Sequence, residues 1–194
     1  LGLLSSKFNN ENIMNFMFLD ATSFNSPISW NTSAVTSMAA MFMRATSFNQ
    51  SLNLDTQSVT NMNAMFQGAT SFQGFGNIGV WNTSQVTMMQ GTFQGARAFN
   101  QQIGNWNTSR VTDMRFLFNG AIAFNQHIGN WNTSQVTNMS EMFYGATIFN
   151  QPINTLGTRQ GESGNEWNTG AVTNMSFMFR NAQQFNQNIG RWNT

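Results

Sequence analysis

The chain has 194 residues, and only 8% of them are charged: eight Lys and Arg against seven Asp and Glu, a net charge of +1. Ordinary soluble proteins carry about 25% charged residues, so this surface depends on uncharged groups instead. The chain lacks the basic field that holds nucleic acid, and no apolar run approaches the roughly 20 residues of a membrane span. With one His and no Cys, we expect no metal, no cofactor and no enzymatic activity.

A unit of about 25 residues repeats along the chain. It is marked by a Val-Thr pair whose Val residues are separated by 24, 27, 25, 25 and 36 positions: Val35, Val59, Val86, Val111, Val136 and Val172. In all six copies a Met follows three residues after the Val and a Phe follows seven residues after it. Self-similarity at such a period is the signature of stacked repeats, so the Met and Phe positions are predicted to form one continuous core.

The first 23 residues contain a degenerate form of the unit. Met14, Met17 and Phe18 match its register, but the Val is missing. We therefore expect residues 1–23 to form an N-terminal capping repeat and residues 24–194 to form the regular repeats.

Within each regular unit, periodicity predicts a short strand, a turn and a short helix. In the first regular copy, Phe24, Ile28 and Trp30 share one side of the predicted strand, and 31–33 supplies turn residues. The spacing i, i+3, i+4, i+7 then predicts two helical turns, at Met38, Met41, Phe42 and Ala45. The predicted fold is an α/β repeat, a right-handed strand–helix solenoid of leucine-rich-repeat type with about seven coils of about 25 residues.

An insertion interrupts the sixth copy. Residues 155–165 are polar and Gly-rich, and we expect them to loop out at an edge, where Arg159 and Glu162 are candidate binding residues. A tolerated insertion without a function of its own stays open as the alternative. Further on, Trp192 begins another copy, so the last repeat is truncated in this sequence.

Stacking converts each polar position of the unit into a row. The Asn-Gln pair that follows the second Phe is a candidate binding surface: Asn100, Gln101, Asn125, Gln126, Asn150 and Gln151. Two Thr positions, four residues apart, form two further candidate rows. The first row is Thr32, Thr56, Thr83, Thr108, Thr133 and Thr169, and the second is Thr36, Thr60, Thr87, Thr112, Thr137 and Thr173. A purely structural role, in which these side chains satisfy backbone groups of the turns, stays open.

Two other features are interpreted as ordinary surface. His127 occupies a variable position of the unit, which favours an exposed residue over a ligand or a catalytic group. Asp113 and Arg115 flank Met114 and are predicted to form a surface ion pair worth under about 1 kcal/mol.

The run V-T-N-M-S-E-M-F-Y-G-A, from Val136 to Ala146, resembles the repeat of BspA-like leucine-rich-repeat surface proteins. Among these it is most similar to the repeat of mycoplasma surface lipoproteins, a domain without an assigned function. The resemblance extends from about Met14 to Thr194. It implies a non-enzymatic cell-surface or secreted protein, with adhesion as the usual suggestion, and it transfers no site residue.

Three functions from different classes are compatible with these patterns. The first is an extracellular or cell-surface recognition or adhesion module that binds a protein or a glycan. The second is a self-assembling structural coat or fibre protein, because unpaired edges of a repeat stack associate readily. The third is an ice-binding (antifreeze) protein, which requires both Thr rows to form a flat exposed surface.

Overall fold

The structure is a computed structural model that describes residues 12–153 and 167–193. Seven coils stack on one another, and an isolated parallel β-bridge at one recurring position joins each coil to the next. One further bridge, between Leu52 and Gly76, joins the second and third coils. The residues at the recurring position are Ile13, Ser37, Asn61, Met88, Asp113, Asn138 and Asn174. We number the coils from these residues as coil 1 (13–36), coil 2 (37–60), coil 3 (61–87), coil 4 (88–112), coil 5 (113–137), coil 6 (138–153 and 167–173) and coil 7 (174–193).

The strand–helix solenoid of leucine-rich-repeat type that the sequence predicted is wrong. Across the described residues there is no α-helix and no β-sheet; the only regular elements are the isolated bridges and one 3₁₀ helix, Ile78–Val80. The segments expected to be helices are instead pairs of linked turns. In the part of the chain that the structure describes, the segments expected to be strands form no strand, and their only regular features are the 3₁₀ helix Ile78–Val80 and the isolated bridge between Leu52 and Gly76.

The turn segment of coil 2 shows why no helix forms. Alternate backbone N–H groups donate to the next coil: Met38 to the Asn61 carbonyl at 3.0 Å and Ala40 to the Asn63 carbonyl at 2.8 Å. Between them, the Met41 N–H closes a turn on the Met38 carbonyl at 3.2 Å. An α-helix would instead direct these N–H groups to carbonyls four residues earlier. Two linked turns place apolar residues on one side at the same i, i+3, i+4, i+7 spacing, so the spacing alone does not distinguish them from a helix.

Each turn segment also contains two residues with positive φ. In coils 3–6 the second of them is a glycine with φ between 66° and 70°: Gly68, Gly95, Gly120 and Gly145. A left-handed residue cannot lie inside a right-handed helix, and glycine adopts this conformation at the lowest cost. This recurring Gly, two residues after a buried Phe, is the sequence signal that favours turns over a helix.

The core consists of columns of stacked side chains, and the predicted stacking of the Met and Phe positions is confirmed. These positions are fully buried in coils 2–6. The Phe118 ring lies 5.8 Å from Phe93 and 5.7 Å from Phe143, one coil away on either side, and 3.9 Å from Phe124 in its own coil. A Trp column runs beside them, and the indole N–H of Trp106 donates to a backbone carbonyl of the preceding coil at 2.8 Å.

Two of the predicted features involve residues that the structure does not describe. The insertion 155–165, with Arg159 and Glu162, and residues 1–11 of the expected capping repeat lie outside the described residues. In coil 1, Ile13 and Phe16 are 42% and 57% exposed.

Candidate functional surfaces

The first Thr row is buried in the stack. Each hydroxyl donates forward to a backbone carbonyl of the next coil, as Thr108 does to Asn132 at 2.8 Å and Thr133 to Asn168 at 2.9 Å. Thr32, Thr56, Thr83, Thr108, Thr133 and Thr169 are all at most 2% exposed. This row links the coils and presents no hydroxyl surface to solvent.

The second Thr row lies on the surface. Thr36, Thr60, Thr112, Thr137 and Thr173 are exposed, and Thr87 is half-buried. Several of these hydroxyls donate backward, as Thr60 does to the Thr36 carbonyl and Thr137 to the Thr112 carbonyl, at 3.1 and 3.2 Å. Because only one of the two rows is exposed, the flat double row that an ice-binding surface requires is absent from the described coils.

The Asn-Gln pairs form a hydrogen-bonded row, which we call the amide ladder (Asn100, Gln101, Asn125, Gln126, Asn150 and Gln151). Asn100 Oδ1 accepts hydrogen bonds from the Asn125 backbone N–H at 2.9 Å and from Gln126 Nε2 at 3.0 Å. Asn125 Oδ1 accepts the same pair from Asn150 and Gln151, at 2.9 and 3.1 Å. The Asn oxygen therefore has a structural role, while the Asn Nδ2 and the Gln Oε1 stay available to a partner.

An open depression adjoins the amide ladder between coils 4 and 5. It is lined by Gln102, Gly104, Asn105, Gln126, His127 and Asn130. A second depression shares Gly104, Asn105 and Asn130 and continues past Asn107 and Asn132. We call the two depressions together the amide groove. Gln126 belongs to both the ladder and the groove, so the two surfaces are continuous.

The floor of the amide groove depends on glycine. A Cβ on Gly104 would lie 2.5 Å from the His127 carbonyl oxygen, and a Cβ on Gly129 would lie 2.9 Å from that of Pro152. Only glycine allows the neighbouring coil to approach this closely. The Ile-Gly step of the repeat is therefore a packing requirement that brings the groove side chains of successive coils together.

Three groove side chains were not among the residues predicted from the sequence. Gln102, Asn105 and Asn130 are exposed and make no side-chain hydrogen bond to the rest of the described chain. By contrast, the Oδ1 of Asn107 accepts the Ser109 backbone N–H at 3.0 Å. The signal that identifies the groove is I-G-N-W, which occurs in coils 4 and 5 and in no other copy of the unit.

No described Lys, Arg, Asp or Glu side chain lines the amide groove. His127 is exposed, as predicted, and no three His, Cys, Asp or Glu side chains of the described residues cluster as metal ligands. Arg115 Nε approaches Asp113 Oδ2 to 2.9 Å, which confirms the predicted ion pair, although without the alignment of a hydrogen bond.

A second ion pair joins coils 1 and 2. Arg44 Nη2 donates to Asp20 Oδ2 at 2.7 Å, and Arg44 Nε donates to the other carboxylate oxygen. These hydrogen bonds lower the pKa of the Asp20 carboxyl and raise the pKa of the Arg44 guanidinium. Both side chains are at least half exposed, so the pair contributes little to stability.

The stacked coils define a repeat protein, and a comparison with known families identifies which one. A family model described as "Mycoplasma protein of unknown function, DUF285" matches residues 4–75, 73–165 and 160–194. The chain belongs to this Mycoplasma family of unknown function, so the mycoplasma type of repeat predicted from the sequence is confirmed at the level of the family. No curated protein matches the chain. Among the described residues, no helix is long and apolar enough to cross a membrane.

Proposed function

We propose that this chain is a non-enzymatic recognition module, located at the cell surface or outside the cell, that binds a protein or a glycan. The observation that carries the proposal is the amide ladder with its adjoining groove, where the Asn Nδ2 and Gln Oε1 groups make no hydrogen bond within the described chain. A stack of near-identical coils repeats these groups at regular steps and so makes an extended surface for a partner.

The location and the adhesive role are supported by the resemblance to BspA-like surface proteins between Val136 and Ala146. The surface chemistry agrees with recognition through hydrogen bonds, because only 8% of the residues are charged. Hydrogen bonds from uncharged amides persist at salt concentrations that screen ionic contacts.

The proposal is tested by immobilising the purified chain and measuring binding to extracellular-matrix proteins and to an oligosaccharide array. We expect saturable binding to at least one class, weakened by the double substitution Gln126→Ala/Gln151→Ala. The matched control is Gln57→Ala/Gln135→Ala, which removes two exposed amides outside the ladder. Absence of saturable binding to both classes would overturn the proposal.

A second function, self-assembly, is favoured by the two uncovered edges of the described stack. In the linked turns of coil 7, four backbone N–H groups donate to no carbonyl of the described chain: those of Met175, Phe177, Phe179 and Asn181. In coil 1, four carbonyls at the acceptor positions of the turns accept no backbone hydrogen bond from residues 12–153 and 167–193: those of Ile13, Asn15, Met17 and Leu19.

These edges are complementary in the same way as adjacent coils within the chain. One more turn of the same repeat pairs with either edge, whether it comes from further chain or from a second copy. Sedimentation velocity over a range of concentrations tests the second possibility, with association expected to fall in Phe16→Glu/Phe177→Glu, since both rings are more than half exposed. Val80→Glu, at a laterally exposed residue, is the control, and association that ignores the edge substitutions would contradict assembly through the edges.

A further inference from the structure

We infer that the amide groove binds a linear, neutral oligosaccharide lying along the stack from coil 4 to coil 5. This inference rests on the proposed recognition function and names the ligand class. The groove lies in the interior of the stack, where coils on both sides hold its walls. The Gly104 backbone packs against the His127 carbonyl beneath it, and the indole N–H of Trp106 is fixed by its bond to Ile78.

The lining of the groove is composed of groups that suit hydroxyl ligands. Gln102, Asn105 and Asn130 leave both halves of their amides unpaired within the described chain, and Gln126 leaves its Oε1. Each free amide supplies a donor and an acceptor side by side. A sugar hydroxyl both donates and accepts, so neighbouring hydroxyls of one sugar ring match one amide.

Two other ligand classes match the lining less well. Apart from His127, no ionisable side chain of the described coils lines the groove, so it has no Lys or Arg to neutralise a phosphate, a sulfate or a uronic acid. Protein interfaces centre on apolar or aromatic anchors that fill a pocket. Here the apolar side chains beneath the groove are enclosed, since Ile103 and Ile128 are 0% exposed and Trp106 is 3% exposed.

The direction of the ligand follows from the repeat. Asn105 and Asn130 occupy the same position of the unit in successive coils, so their amides repeat at about the 4.8 Å spacing of paired chains. Gln102 and His127 are related in the same way. A linear oligosaccharide presents its hydroxyls in regular steps, and it therefore engages both coils when it runs parallel to the stack.

The test is a titration of the isotope-labelled full chain, followed by the NMR signals of the side-chain amides. The probes are maltohexaose, cellohexaose and N-acetylchitohexaose, with hexagalacturonate as the charged comparison. We expect at least one neutral probe to shift the Asn105 and Asn130 side-chain signals saturably. Asn105→Ala/Asn130→Ala should then weaken binding at least tenfold, whereas Gln57→Ala/Gln135→Ala should leave it unchanged.

A gain-of-function variant makes the test independent of lost stability. Val80 is 76% exposed and occupies the Asn105 position in coil 3, so Val80→Asn should extend the groove by one coil and tighten binding several-fold. The inference fails if no neutral probe binds, if hexagalacturonate binds the groove equally well, or if the groove substitutions do not change the affinity. Binding of a matrix protein without any oligosaccharide would overturn this ligand class and leave the proposed recognition function standing.

Discussion

Coil 5 and coil 7 are built from the same repeated residues, but only coil 5 has a described coil on both sides. Phe118 in coil 5 is fully buried between Phe93 and Phe143. Phe179, its equivalent in coil 7, is only partly buried and stacks on Phe143 alone among the neighbouring coils. At the end of the described stack, Phe179 therefore makes one inter-coil ring contact, where its equivalent Phe118 makes two. A core side chain therefore stabilises the protein through its contacts with the neighbouring coils as well as through those within its own coil.

The largest expected effect is on this aromatic column. Phe118→Ala should lower the free energy of unfolding by about 3–5 kcal/mol, because it opens a cavity between two coils. Phe179→Ala should cost less, since its site is already partly open to solvent. Urea unfolding followed by circular dichroism measures both variants, and equal losses would show that the neighbouring coils do not determine the contribution.

The Gly of the Ile-Gly step also allows a residue inside the stack to be compared with its equivalent in the last described coil. Gly104→Ala places a Cβ 2.5 Å from the His127 backbone oxygen and should destabilise the protein by about 1–3 kcal/mol through overpacking. Gly190 occupies the same position in coil 7, where a Cβ would meet only the Asn188 side chain, at 3.2 Å. Gly190→Ala should therefore be close to neutral in the same unfolding assay, and a comparable loss there would argue against inter-coil crowding as the cause.

The two Thr rows contribute differently to stability within one coil. Thr108→Val leaves the Asn132 carbonyl without its buried donor and should cost about 1–2 kcal/mol. Thr112→Val removes an exposed hydroxyl that donates no hydrogen bond within the described chain, so its unfolding free energy should match that of the wild type. Thermal melts of the two isosteric variants measure this difference in stability. A larger loss of stability in Thr112→Val than in Thr108→Val would contradict the assignment of the first row as buried and the second as exposed.

The smallest effect is expected where two coils meet through exposed charges. The pKa of Asp20 is lowered in the folded state by hydrogen bonds from Arg44, so the ionised carboxylate favours folding. This contribution is present above the carboxyl pKa of the unfolded chain and is lost as the pH falls through the folded-state pKa. The melting temperature of the Asp20→Asn variant should be slightly below that of the wild type at neutral pH, and the two values should converge in acid and at high salt. A gap that persists in acid would show that the carboxylate charge is not responsible.

The sequence was sufficient to predict the core and its register. Residues such as Met114 and Phe118 recur at fixed intervals, and a side chain that recurs in every copy stacks on its own equivalents. The local backbone was predicted wrongly because periodicity reports which side chains share a face and not which carbonyl each N–H reaches. The glycines at Gly95 and Gly120, in a left-handed conformation, carried the missing information.

The surface was harder to predict for a different reason. Thr108 and Thr112 are chemically identical and four residues apart, and only the path of the turns makes one buried and the other exposed. The Asn-Gln candidates could be named from the sequence, but the division of each amide into a bonded and a free half depends on the neighbouring coil. Asn105 was missed because Asn follows the Ile-Gly step in only two copies of the unit, so the consensus of the repeat does not contain it.

The alternation of backbone hydrogen bonds between adjacent coils also bears on how the protein changes length over evolutionary time. Every coil presents the same hydrogen-bond donors, acceptors and aromatic rings to its neighbour. If one whole unit were duplicated or deleted, the contacts between adjacent coils would therefore stay of the same type. Each added unit would lengthen the stack by about 4.8 Å. Recombination within the gene could therefore alter the number of coils, and the protein could change its length without redesigning its core.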